Sequence, residues 1–151
     1  MRRLLEEPTN FVSTVDERRR QPQDVPVLRG MRVLVVDDDE DTLVVFAAML
    51  RQWEAEVICT PRADLALQWL RSGPFDLLVS DLAFAGFDGL DLIHAVRSSE
   101  SLYLLKAIAI SAYDVRSTNA VAAGFDAHVA KPISFDDMSI VMRSVLDGHA
   151  S

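Results

Sequence analysis

The chain has 151 residues, half of them hydrophobic and a quarter charged, which suits one domain with its own core. A formal net charge of −8 argues against nucleic-acid binding, which relies on clustered Lys and Arg, and no apolar stretch reaches the length of a membrane span. Arg2 and Arg3 precede no apolar run, so no secretory signal is read, and the single cysteine, Cys59, excludes an internal disulfide or a multi-cysteine metal site. A cytoplasmic protein with neither nucleic acid nor membrane as partner is the expectation.

Residues 1–30 stand apart. They hold six of the fifteen basic residues (Arg2, Arg3, Arg18, Arg19, Arg20, Arg29), with three prolines and few large apolar groups. Such a stretch buries little and reads as a flexible extension or linker, with a short helix starting near Thr14 at the capping-box spacing Thr14-x-x-Glu17. Arg18–Arg20 reads as a solvated helix end, with a docking patch as the rival. From Met31 short apolar runs suited to buried parallel strands recur at Arg32–Val36, Glu56–Thr60, Phe75–Ser80, Ala107–Ile110 and Ala127–Ala130. Helical spacing fills the intervals at about Thr42–Trp53, Ala63–Arg71, Gly89–Arg97, Ser117–Ala123 and Phe135–Leu146. Gly73-Pro74, Gly86, Gly89 and Gly124 punctuate the junctions, and Cys59 reads as a small buried hydrophobe within a strand. Strands alternating with helices predict an α/β fold, a doubly wound parallel sheet in a three-layer sandwich.

The chemistry gathers at the carboxyl ends of these strands. Asp37, Asp38 and Asp39 follow the first, Asp81 the third, Ser111 the fourth and Lys131-Pro132 the fifth. In an open α/β sheet those ends share the edge where ligands bind. Carboxylates brought together there repel unless a cation compensates, and oxygen-only ligands select a hard ion, Mg²⁺ (or Mn²⁺). A dication and an ammonium group beside a carboxylate suit phosphoryl oxygens, whose transfer needs positioning and charge neutralisation. Ser111 offers a hydroxyl donor to the same group. Each residue alone has a plainer reading: Asp39 or Glu40 caps a helix, Asp81 is a turn residue, Ser111 a polar strand end, Lys131 a surface lysine. Two adjacent acids directly ending a buried strand, Asp37 and Asp38, fit that plainer reading poorly.

The string Val33-Leu34-Val35-Val36-Asp37-Asp38-Asp39 resembles the opening of bacterial response-regulator receiver domains. Asp76-Leu77-Leu78-Val79-Ser80-Asp81 with Gly86-Phe87-Asp88-Gly89 resembles their phosphoacceptor strand and loop. Ile108-Ala109-Ile110-Ser111-Ala112 and Gly124-Phe125-Asp126-Ala127-His128-Val129-Ala130-Lys131-Pro132 resemble their fourth and fifth strands. The match spans roughly residues 31–148 and implies a flavodoxin-like sheet of order 2-1-3-4-5. It also implies roles: Asp81 as phosphoacceptor, Asp38 as direct metal ligand, and Asp37 acting mostly through water. The backbone carbonyl of Ala83 completes the metal set, Ser111 and Lys131 hold the phosphoryl group, and the Lys131-Pro132 bond is cis. The implied donor is a phosphohistidine on a histidine kinase or histidine phosphotransfer protein, and the implied self-contact is a homodimer through the fourth helix–fifth strand–fifth helix face. The resemblance thus implies a signalling phosphoacceptor rather than an enzyme acting on other substrates, and signalling through protein contacts is the expectation, since no output domain is read between the last expected helix and Ser151.

Several positions depart from the family pattern. Ala85 replaces a loop proline, Ala83 a polar side chain near the site, and His128 the switch aromatic that moves with Ser111. Leu43 to Leu50 is apolar nearly all round, which predicts either tighter burial or a partner patch at Val44 and Ala48. Val27-Leu28-Arg29-Gly30 resembles linkers in hybrid kinases, so a stand-alone regulator and a hybrid-kinase receiver both stay open. Two rivals use the same residues: a pseudo-receiver that is never phosphorylated, and a haloacid-dehalogenase-like phosphohydrolase, whose Asp-x-Asp motif Asp37-Asp38-Asp39 meets only formally.

Overall fold

Val33-Leu34-Val35-Val36 is too short for a stable helix and rich in β-branched side chains, and it forms most of β1 (Arg32–Val36). After it come α1 (Glu40–Gln52), β2 (Glu56–Thr60), α2 (Ala63–Ser72), β3 (Leu77–Asp81), α3 (Gly89–Arg97), β4 (Lys106–Ser111), α4 (Val115–Ala123), β5 (Ala127–Ala130) and α5 (Phe135–Leu146). The computed structural model describes residues 27–82, 89–112 and 115–147, without the side chains of 115–118. The readings at Thr14, Arg18–Arg20, Ala83 and Ala85 lie outside the described residues. Neighbouring strands pair in parallel in the order β2-β1-β3-β4-β5, the doubly wound sheet that the alternation predicts.

Strand alternation divides the core in two. Val33, Val35, Leu77, Val79, Ile108, Ile110 and Val129 face one way, onto Phe46 and Leu50 of α1 and Met138 and Met142 of α5. Leu34, Val36, Leu78, Ala107 and Ala109 face the other, onto Ala66 and Leu70 of α2, Leu92, Ile93 and Val96 of α3, and Ala120 of α4. Edge-on packing of Trp53 against Phe135, ring centroids 5.0 Å apart, ties the end of α1 to the start of α5. Leu28 belongs to this core as well: it is buried, and its N–H donates to the Trp53 carbonyl at 2.7 Å.

Most element bounds agree with the sequence expectation, and the shifts have local causes. Phe75 and Asp76 are not in β3. Phe75 lies beneath the Arg32 guanidinium, 4.4 Å from the ring centroid, and Asp76 clips the start of β1 by accepting from the Arg32 N–H at 2.8 Å. The strand extends instead through Asp81, and β4 through Ser111, so both polar groups sit on paired backbone. Helix α1 begins at Glu40, earlier than the Thr42 expected. Asp39 caps it, taking hydrogen bonds from the Asp41 N–H at 3.2 Å and the Thr42 hydroxyl at 2.8 Å. Helix α4 begins at Val115 rather than Ser117.

Candidate functional site

The sheet order places the switch point between β1 and β3, because the chain leaves β1 toward β2 on one side and later returns to β3 on the other. Asp37 follows the last residue of β1, and Asp81 is the last residue of β3. Carboxylate oxygens of Asp37, Asp38 and Asp81 all lie within 4.8 Å of one another. Asp37 is wholly buried, Asp81 nearly so, and Asp38 faces solvent. One cysteine-free, histidine-free group of oxygens is thus assembled from two strands more than forty positions apart in sequence.

Burying two carboxylates is costly without compensation. Compensation comes from Lys131, which follows β5 and has its backbone fixed by an N–H to the Ser111 carbonyl at 2.9 Å. Its ammonium donates to Asp37 Oδ2 at 2.9 Å and lies 3.6 Å from Asp81 Oδ2. Burial works to lower the lysine pKa, but the Asp37 hydrogen bond and the charges of Asp81 and Asp37 outweigh it and hold the ammonium above its ordinary value. The other Asp37 oxygen accepts the Asp39 N–H at 2.9 Å, so Asp37 is engaged on both sides. Asp81 Oδ1 accepts the Leu82 N–H at 2.8 Å. The Lys131-Pro132 peptide bond is cis.

Ser111 ends β4 at the same edge, opposite Ala130 of β5. Its hydroxyl donates to the Ala112 carbonyl at 2.9 Å and lies 3.1 Å from His128 Nε2. His128 sits in β5 beside Ala109, half-buried.

Against this geometry, comparison with known proteins is decisive. The family model described as the response regulator receiver domain matches residues 33–143. The chain belongs to that family. An uncharacterised 14.6 kDa protein of Leptolyngbya boryana is 39% identical over 108 residues, covering 70% of this chain and 82% of the relative. The chemotaxis protein CheY of Pseudomonas aeruginosa is 35% identical over 109 residues, covering 69% of this chain and 86% of CheY. The sensor histidine kinase GacS of Pseudomonas protegens is 30% identical over 121 residues, covering 77% of this chain, which spans only 13% of that kinase. Among solved structures, the receiver domain of sensor histidine kinase PA1611 from Pseudomonas aeruginosa superposes with a TM-score of 0.72 at 22% identity, covering 78% of this chain and 98% of that one. Chemotaxis response regulator CheY4 of Vibrio cholerae gives a TM-score of 0.71 at 20% identity, covering 76% of this chain and 98% of that one. These two likenesses carry the fold.

The receiver fold therefore brings Asp37, Asp38, Asp81 and Lys131 into one cluster, with Ser111 and His128 paired at its margin; Ala83 lies outside the described residues. For two residues the fold settles what the sequence leaves open. Of the two capping candidates, Asp39 is the α1 cap: the Asp41 N–H and Thr42 hydroxyl engage its carboxylate, which does not join the group of Asp37, Asp38 and Asp81, so the Asp-x-Asp pattern of the phosphohydrolase rival loses its second acid. Gly89 reads in sequence as the junction glycine at which the third helix begins, and the helix does begin there. In the fold it opens α3 directly against the backbone of Asp81, where an added Cβ lies 2.4 Å from the Asp81 carbonyl oxygen. Nothing in a single sequence distinguishes that glycine from an ordinary turn glycine. Among the described residues no helix is long and apolar enough to cross a membrane.

Proposed function

We propose that this receiver accepts a phosphoryl group on Asp81 from a phosphohistidine and signals through protein contacts. The observation that carries the reading is the ammonium of Lys131 placed against both Asp37 and Asp81, within a cluster of three carboxylates at the switch point. Asp81 attacks phosphorus, a P–O bond forms as the P–N bond breaks, and the departing histidine nitrogen keeps the electron pair and takes up a proton. Lys131 then holds phosphoryl oxygens, and Ser111 donates to another.

The donor set fits a hard dication. Three carboxylates and one ammonium carry a formal charge of −2 in a small volume, and all the ligand atoms are oxygens. Asp38, exposed and adjacent, and Asp81 are the direct ligands in this reading. Asp37 acts through water, in keeping with its two engaged oxygens. The Ala83 carbonyl completes the set. Mg²⁺ or Mn²⁺, when bound, neutralises charge on the transferring group. Magnesium coordinated in the active-site cleft of the PA1611 receiver supports the assignment by likeness of fold.

For the histidine-bearing partner, whether a kinase or a phosphotransfer protein, the supporting surface is α1. Val44, Val45 and Ala48 are exposed there, beside a groove lined by Thr42, Phe46, Pro132 and Ile133. Val121 of α4 and Ile140 of α5 are exposed apolar groups on the two helices of the face proposed for a homodimer. A cytoplasmic location is proposed with such partners, as is a domain over residues 31–148 with residues 1–30 as a linker apart from Leu28, which packs into the domain's core, in a stand-alone regulator or a hybrid kinase.

Incubation with Mg²⁺ and acetyl phosphate tests the reading. Intact mass should show one phosphoryl adduct, stable in acid and labile in base, and D81N should abolish it. No adduct on the wild type leaves a pseudo-receiver, and an adduct persisting in D81N moves the site elsewhere.

A further inference from the structure

Ser111 and His128 make a contact that the phosphoacceptor reading does not use. The Ser111 hydroxyl has one proton and two partners: the Ala112 carbonyl at 2.9 Å and His128 Nε2 at 3.1 Å. A carbonyl oxygen only accepts, so in the contact with Ala112 the hydroxyl is the donor. While the proton stays there, the contact with Nε2 is favourable when the imidazole donates, whereas a bare Nε2 would draw the hydroxyl proton to itself. Parallel pairing of β4 with β5 sets this geometry, with Ser111 opposite Ala130 and His128 opposite Ala109. The small side chain at 109 leaves room for the ring on that face of the sheet. Both residues are partly shielded from water, which strengthens the bond.

We infer that His128 is a positioning residue for the Ser111 hydroxyl: its Nε2–H donates to Oγ, fixes where that oxygen sits, and polarises its proton for transfer of the hydrogen bond from Ala112 to a phosphoryl oxygen. The inference rests on the phosphoacceptor reading and deepens it. Phosphoryl oxygens only accept, so the hydroxyl must exchange one acceptor, the Ala112 carbonyl, for another. The donation from Nε2 needs no change during that exchange. A hydrocarbon ring at 128 fills the same space but neither fixes the oxygen nor makes its proton a stronger donor.

Two measurements test this on the full chain. The first is the ¹⁵N shift of His128 in the unphosphorylated protein at neutral pH, where Nε2 should carry a proton; a bare Nε2 overturns the inference. The second is the rate of adduct formation with acetyl phosphate and Mg²⁺ in H128F, H128Q, S111A and S111A/H128F. H128F loses the placement and polarisation that strengthen the Ser111 bond to the phosphoryl group in the transition state, and weakening by about one hydrogen bond corresponds to roughly a five- to tenfold slower rate. H128Q, whose amide nitrogen reaches the Nε2 position, should stay within about threefold of the wild type, on the same scale for one partly retained bond. With Ser111 already removed, H128F should change nothing further. Equal losses in H128F and H128Q, or an undiminished H128F effect beside S111A, make the histidine a packing residue only. A wild type that forms no adduct refutes the phosphoacceptor reading itself, and this inference with it. Adduct formation without the rescue and coupling refutes the inference alone.

Discussion

Helix propensity and tertiary packing make opposite predictions for G89A. Gly89 is the first residue of α3, and replacing glycine with alanine in a helix is worth up to about 1 kcal/mol in favour of folding. In the folded chain, however, the added Cβ lies 2.4 Å from the Asp81 carbonyl oxygen and 2.7 Å from Leu82 Cα. Ordinary contact begins at 3.4 Å, so about 1 Å of movement has to be absorbed by backbone rather than by a flexible side chain. The backbone has little freedom to give: β3 is paired on both sides, and Leu82 is wholly buried. Overpacking of this kind costs about 1–3 kcal/mol, and straining the Gly89 N–H bond to the Leu82 carbonyl adds roughly 1 kcal/mol. Against the propensity gain the net is a loss of about 2 kcal/mol, a fall in Tm of roughly 6–10 °C for a domain of this size. Urea unfolding followed by circular dichroism measures it, with an unchanged slope showing that the unfolded state is not the cause. Gly73, extended at φ −174° with only the Arg32 Nη1 atom within reach at 3.5 Å, is the control, and G73A should move stability by less than about 0.5 kcal/mol. A G89A protein as stable as the wild type, or more so, refutes the close approach. Because the displaced atom is the Asp81 carbonyl, G89A should also slow adduct formation on Asp81.

The remaining predictions concern burial. Trp53 is a fully buried side chain whose indole N–H has no hydrogen-bond partner among the described residues. W53A should cost about 3–5 kcal/mol, whereas W53F sheds the unpaired N–H along with its area and should stay within about 1–2 kcal/mol of the wild type. Equal losses in urea unfolding show that the N–H is satisfied. The Cys59 thiol is pushed up by burial, with Arg51 only partly offsetting it. The thiolate is therefore disfavoured in the folded state, and Cys59 should react with a disulfide reagent more slowly than a free thiol at pH 8. Its folded pKa lies above the unfolded one, so stability should fall as pH rises past the ordinary thiol value of about 8.5. A C59A variant should lose that part of the pH dependence.

Sequence alone was sufficient for the architecture because the period of its apolar runs and the spacing of its breakers are local properties. Five short runs, each too brief for a helix and separated by helical spacing, allow little besides a parallel sheet covered on both faces. The polar residues closing those runs single out Asp37, Asp38, Asp81, Ser111 and Lys131 as candidates, since polar or charged groups directly after a buried strand call for a partner. Which partner each one has was decided only by the tertiary fold. Lys131 reaches Asp37 across 94 positions of chain because strand order, not sequence distance, sets who meets whom at the sheet edge. The same holds for Gly89, whose missing Cβ matters only because α3 is laid against β3, whereas the Asp39 cap is local, made with Asp41 and Thr42. His128 was visible as a polar ring where the family pattern has an aromatic one. That its Nε2 meets the Ser111 hydroxyl depends on the register of two neighbouring strands, which no pattern within either strand encodes.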